Sequence, residues 1–378
     1  MDPPKRPVIF AVSAFKGRAT VELGLFVMPL HPPEKSRTLC FEEDIELVVR
    51  ADELGFTEAW VGQHHTVAWE PIPANDVFIA NVFPRTKNIR LGTGVSIVPQ
   101  HHPANIAVRL AFLDHLSRGR LNCGFGQGGV PTDWGLFDLP DPKTQGLMTV
   151  EGIDMVLKLW AAEAPFDFKG DFWHIKIEEP DPQRGIGTML KPYQQPHPPI
   201  AMSVIRGESM AGRMAGQRGY IPISTNLVPQ TTLSQHWDTY CAGAAEAGLP
   251  QPSRQRWRIG RSVFVADSDE EAWEYALDSA FSRSFDYLIT VLTGAKMLHI
   301  LKHDPDLPDH EVTPEYLVHN LCIVGSPSSC IDQLQAMWER TGGFGTLLMI
   351  AHDWDDRAKW LRSLDLLSGQ VKPALPAL

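Results

Sequence analysis

From Val21 onward the chain alternates short β-branched or apolar runs with longer stretches of helical period. That alternation constrains the fold more than any other feature, because it is the pattern of parallel strands joined by crossover helices. The runs Val21–Val27, Thr57–Val61, Ile89–Val98, Leu121–Phe125, Ile200–Val204, Tyr220–Ser224, Trp257–Ala266 and Thr346–Ala351 read as strands. Their number and spacing predict an α/β chain of the (β/α)8 TIM-barrel type with insertions, for which 378 residues is an ordinary length.

The helices carry their own marks. After the first strand, Glu42, Glu43 and Asp44 are expected in a first helical turn, with a stripe of Phe41, Ile45, Val48 and Val49 and a stop at Gly55. Pro103 opens another helix, striped by Ile106, Leu110 and Leu113. A helix near Met148–Ala162 leads into a hairpin predicted to turn at Lys169–Gly170, which interrupts the alternation. We therefore expect one barrel over residues 21–378, an extension over 1–20, and insertions near 130–198 and 282–313. The second insertion is weakly periodic and reads as a cover over the barrel mouth.

Composition narrows the function. Lys and Arg total 34 against 45 Asp and Glu, a net charge of -11, which disfavours nucleic acid and anionic membranes and points to a small-molecule partner. Five cysteines at irregular spacing give neither a disulfide framework nor a zinc motif. Lys16 and Arg18 follow the apolar run Val8–Phe15 where a cleaved leader needs small residues, and no run is long enough to span a bilayer. A cytoplasmic enzyme is the expectation.

Reactive groups of such a barrel project from the carboxyl ends of its strands. Strand two ends in Gly62-Gln-His-His65 and strand three in Gln100-His-His102. His64 is suited to proton transfer, or else it hydrogen-bonds a neighbouring strand end. Four histidines without carboxylate or lysine at ligand spacing do not make a metal site, and none is expected. Strand four runs into Gly124-Phe-Gly126-Gln127-Gly128-Gly129, read as close backbone approach to a flat ligand or as a flexible loop. Strand five leads to Glu208-Ser209-Met210-Ala211-Gly212, where helical N–H groups either bind a phosphate or receive an ordinary cap. Trp69, Trp134 and Phe137 lie in loops above strands two and four, as an apolar substrate lid or as loop anchors; Trp69, His101 and Trp134 are the candidate substrate pocket.

With these residues in view, the segments Ala51–His65, Leu113–Leu121, Asn320–Pro327, Gly342–Leu347 and Ala351–Asp353 resemble the luciferase-like flavin-dependent monooxygenases. The nearer likeness is to the branch holding the limonene and FMN-dependent (type II) Baeyer–Villiger diketocamphane enzymes. The resemblance implies reduced FMN at the barrel mouth, supplied by a separate flavin reductase and reacting with O2 to a C4a-hydroperoxide that a dry pocket protects. It implies a small hydrophobic substrate such as a cyclic ketone or alkene, and a homodimer. By the same resemblance His64 is the histidine beside the flavin, and Gly126, Gln127, Gly128, Glu208, Ser209, Met210 and Gly212 line its phosphate side. Gln127 stands where luciferases carry an arginine, Gly212 where they carry a hydroxyl, and Gln63 where glutamate is common, so phosphate donors are expected from backbone N–H groups or Arg206. Competing classes are F420-dependent hydride transfer on the same fold, a non-catalytic flavin-binding protein, and a metal-dependent hydrolase.

Overall fold

The computed structural model describes residues 21–375, so the extension read over residues 1–20 lies outside the described residues. Parallel strands β1 (Glu22–Leu30), β2 (Glu58–Val61), β3 (Arg90–Thr93), β4 (Leu121–Gly126), β5 (Ile200–Val204), β6 (Ile221–Ser224), β7 (Arg258–Arg261) and β8 (Thr346–His352) pair in sequence order. β8 returns to β1, with Leu25 opposite Met349, which closes the barrel. Pairing moves every second side chain inward. Outward residues such as Leu23, Leu25 and Val27 bury against the helices, while the inward Trp60 fills the lumen against Gly92, where an added Cβ would lie 2.5 Å from the indole.

The base of the barrel holds a charged plug. Glu58 is buried and accepts from Arg258 Nε at 2.8 Å and Nη2 at 3.0 Å, and from Trp60 Nε1 at 3.1 Å. Burial alone would raise the Glu58 pKa; Arg258 outweighs it and holds the carboxyl below its ordinary value.

Several boundaries differ from the sequence reading. The first helix begins at Arg37, so Glu42, Glu43 and Asp44 fall in its second turn rather than its first. From there Asp44 reaches His31 (3.1 Å) and Glu43 reaches Lys35 (2.5 Å). The run Ile89–Val98 is not one strand: it breaks at the cis peptide Gly94–Val95, and only Ser96–Ile97 resumes pairing with β4. The helix placed near Met148 begins at Pro142, because Asp141 caps it by accepting from the Lys143 and Thr144 N–H groups. The hairpin Phe166–Lys169 with His174–Ile177 turns over 170–173 rather than at Lys169–Gly170, since Glu151 accepts from the N–H groups of Asp171, Phe172 and Trp173. Trp257–Ala266 is also two strands: after β7, Val263–Val265 leaves the barrel to pair with Ile323–Gly325. Weak periodicity over 282–313 conceals the helix Ala280–Gly294, which buries Phe281, Phe285, Leu288 and Leu292.

Candidate active site

Barrel order sets the site. The loops after β2, β4 and β5 lie along the carboxyl rim, bringing His64, Gln127 and Ser209 onto one arc. The loop after β2 is held on two sides: Asn75 Nδ2 donates to the Val61 carbonyl at 3.1 Å, and the His64 N–H donates to the Ile72 carbonyl at 3.0 Å.

His64 is half-buried between two carboxylates, with Nε2 3.2 Å from Glu70 Oε2 and Nδ1 3.6 Å from Asp133 Oδ2. Burial pulls its pKa down, but Glu70 and then Asp133 overcome that and raise it to about 10. Asp133 sits on the short helix Pro131–Leu136 and accepts from the His65 and Thr66 N–H groups and the Thr66 hydroxyl. Burial opposes its ionisation, yet His64 and these donors hold its pKa down to about 2. Glu70 in turn accepts from the Tyr287 hydroxyl at 2.6 Å, and burial and then Glu70 push that phenol's pKa upward.

Sequence reasoning singled out His64 but missed Glu70, Asp133 and Tyr287. The only available signal was an acid placed beside each of the loop tryptophans, Trp69 and Trp134. Trp69 joins this cluster, stacking on Tyr287 at 5.5 Å between ring centroids, and Trp134 follows Asp133 on its helix. Phe137 meets the His65 ring edge-on at 4.7 Å, and His65 Nε2 lies 3.0 Å from Gln100 Oε1. His101 goes elsewhere. It lines a solvent-open cleft of about 480 Å³ between the helices Asn75–Val82 and Pro103–Ser117, which shares Gln63 with the His64 side. Burial and Arg109 lower its pKa.

Among the buried polar atoms without hydrogen-bond partners are His64 Nδ1 and Glu70 Oε2, each facing an opposite charge, Gln100 Nε2 on the side chain that meets His65, and Trp134 Nε1. Such atoms are uncommon in a folded interior, and a group of them is what a polar ligand site leaves when no ligand is bound. The crevice beside them, lined by Met28, Gly62, Gln63, His64, Glu70 and Ile72, is too tight to hold a drug-sized ligand. A large flat ligand therefore has to lie across the rim rather than inside the barrel.

On the far side of the arc, Ser209 is the N-cap of the helix Met210–Arg218, its hydroxyl accepting from the Gly212 N–H at 3.0 Å. The cap takes one of the orphan N–H groups of the first turn, leaving those of Met210 and Ala211 without intrahelical partners. Gln127 donates to the Pro142 carbonyl at 3.2 Å. The glycines of β4 answer to packing: a Cβ on Gly124 would lie 2.1 Å from the Thr93 carbonyl oxygen, and one on Gly126 2.6 Å from Val95 Cγ2. Close approach is thus required here by the neighbouring strand.

A second charged cluster closes the rim between β1 and β8. His31 Nδ1 lies 2.5 Å from Asp353, and Lys35 Nζ lies 2.5 Å from Glu43 and 2.7 Å from Asp353. Its carboxylates are grouped closely enough for a metal ion, but the Lys35 ammonium already supplies the cation.

Known proteins match this architecture. Residues 21–344 fit the model of the luciferase-like monooxygenases. The chain is 33% identical over 359 residues to the 4-hydroxyprotoasukamycin monooxygenase of Streptomyces nodosus subsp. asukaensis, covering 93% of this chain and 92% of that one. It is 30% identical over 375 residues to the 3,6-diketocamphane 1,6-monooxygenase of Pseudomonas putida, covering 94% and 98%. The solved oxygenating constituent of the Pseudomonas putida 3,6-diketocamphane monooxygenase, a type II Baeyer–Villiger enzyme in complex with FMN, superposes with a TM-score of 0.87 over 95% of this chain and 100% of that one. The chain belongs to the luciferase-like monooxygenase family.

Proposed function

We propose that this monooxygenase is the oxygenase component of a two-component system. It takes reduced FMN from a separate reductase and inserts one oxygen atom of O2 into a small hydrophobic cyclic ketone or alkene. The observation that carries the reading is the protonated His64 at the rim, with Glu70, Gln100 and Trp134 also holding buried polar atoms without hydrogen-bond partners. It is supported by a structural relative at 30% identity that binds FMN. When bound, the reduced flavin activates dioxygen for transfer to the substrate.

The rest of the chemistry belongs to the chain's own residues. With a pKa near 10, His64 carries a proton throughout the neutral range, so we assign it the role of hydrogen-bond donor to developing negative charge rather than of base. Gln100 Nε2, buried and unpartnered on the side chain that meets His65, is proposed as a second donor. Trp69, Trp134 and Phe137 are proposed to roof the site and exclude water. We assign the cofactor phosphate to the N–H groups of Met210 and Ala211, with Ser209, Gly212, Glu208 and the turn Gly126-Gln127-Gly128 around it. The five thiols are free, in keeping with a cytoplasmic location, and no helix among the described residues is long and apolar enough to cross a membrane.

The test is oxygen uptake by the protein with anaerobically reduced FMN and a bicyclic ketone, followed by mass analysis of the product from ¹⁸O2. One labelled oxygen in a lactone is expected. An unlabelled or merely reduced product would point to hydride transfer of the F420 type and remove the oxygenase assignment.

A homodimer is part of the proposal. Val108, Phe112 and Leu116 recur every fourth residue along Pro103–Ser117 and stay exposed, beside exposed Val77 on the adjacent helix. An apolar stripe of that kind is costly to leave in water. Phe112→Glu is expected to weaken self-association by about 2 kcal/mol or more and give monomers in light scattering at micromolar concentration. A wild-type protein already monomeric there would dismiss the dimer.

A further inference from the structure

We propose that Glu70 and Asp133 are the positioning residues of His64, gripping its imidazole from both ring nitrogens, and that Tyr287 locks Glu70 in that role from the helix Ala280–Gly294. The inference rests on the reading of His64 as the rim donor and adds what holds it there.

Three separate elements converge on one ring. Glu70 comes from the loop after β2, Asp133 from the short helix after β4, and Tyr287 from a helix that precedes β8 in the chain by more than fifty residues. Their arrangement is specific: carboxylate oxygens lie 3.2 Å from Nε2 and 3.6 Å from Nδ1, and the phenol donates 2.6 Å to the other oxygen of Glu70. Asp133 is itself immobilised by N–H donors from His65 and Thr66 and by the Thr66 hydroxyl. A ring facing a carboxylate at each nitrogen is electrostatically satisfied only when both nitrogens carry protons. Both contacts are ion pairs, closer at Nε2 than at Nδ1.

The groups that face His64 are Glu70, Asp133 and, behind Glu70, Tyr287; its neighbour His65 turns to Gln100. Glu70 and Asp133 favour the cation, and the His64 pKa is raised to about 10 accordingly. The same contacts tie the lid together. Trp69 stacks on Tyr287, and Trp134 rides on the helix that Asp133 anchors to the loop of His65 and Thr66, so the ring is held by the groups that roof it.

The test needs no flavin, which separates its failure from failure of the oxygenase reading. The His64 ring resonances are titrated by NMR in the ligand-free protein and in Glu70→Gln, Asp133→Asn and Tyr287→Phe. Wild-type His64 should stay protonated well above its ordinary midpoint of 6.5. Glu70→Gln and Asp133→Asn should each move the midpoint down toward that value, and Tyr287→Phe, the mildest change, by a smaller amount in the same direction. Glu70→Asp should restore most of the wild-type midpoint. A wild-type midpoint near 6.5 overturns the proposal, and so do unchanged midpoints in the variants. Should a carboxylate variant fail to fold, the wild-type titration and Tyr287→Phe still decide the matter.

Discussion

Replacing His64 with alanine should reduce oxygenation by roughly 10²–10³-fold, the loss typical of removing one preorganised donor from a site where charge develops. The product assay with reduced FMN measures it. Because the ring lies between Glu70 and Asp133, the substitution also strips two buried carboxylates of their shared cation. His64→Gln, a neutral donor, should recover only part of the rate if the positive charge matters, and nearly all of it if hydrogen bonding alone does.

The pH dependence follows with a definite sign. The folded-state pKa of about 10 lies above the ordinary 6.5, so the protonated ring stabilises the folded chain fully below about pH 6.5. That contribution is lost progressively until pH passes about 10. Between pH 6 and 8 the rate should show no ordinary histidine titration, and it should fall as pH approaches about 10. A rate that rises through pH 6.5 would mean that His64 works as a base.

The largest effect on stability is expected at the opposite end of the barrel. Glu58→Ala leaves the Arg258 guanidinium, only partly reached by solvent, without its bidentate partner and frees the Trp60 indole N–H. Breaking one half of a buried pair costs about 3–5 kcal/mol, which urea denaturation would detect as a lower midpoint at unchanged slope. Replacing both partners by apolar residues of similar volume, as in Glu58→Met with Arg258→Met, should recover most of the loss, because neither charge is then stranded. Glu58 lies at the amino end of β2, away from the rim, so the folded fraction of Glu58→Ala should keep its turnover. A Glu58→Ala protein as stable as the wild type would mean that the plug contributes nothing net.

The barrel was legible because its strands are short, apolar and separated by helical stretches; Ile200–Val204 and the helix start at Pro327 fall where period and turn chemistry put them. The misread strands share a cause. Ile89–Val98 and Trp257–Ala266 carry buried apolar residues on both sides of their breaks, which fall at Gly94–Val95 and Ser262. Periodicity registers burial and is blind to which sheet a residue pairs with. The helix Pro142–Ala161 starts ahead of its apolar stripe: Asp141 followed by Pro142 is the start signal, whereas the stripe shows only from near Met148. In the site, His64 and the Ser209 turn were found by their position after strands. Glu70, Asp133 and Tyr287 were not, because their partnership spans more than two hundred residues of chain and exists only once the barrel closes.

Whether the rim around His64 receives reduced flavin is decided by an anaerobic titration of the protein with reduced FMN. Saturable binding of one flavin per chain is expected, weakened by Ser209→Glu, which sets a negative charge at the N-terminus of Met210–Arg218. Reduced FMN that fails to bind saturably, or binds Ser209→Glu as tightly as the wild type, would contradict it.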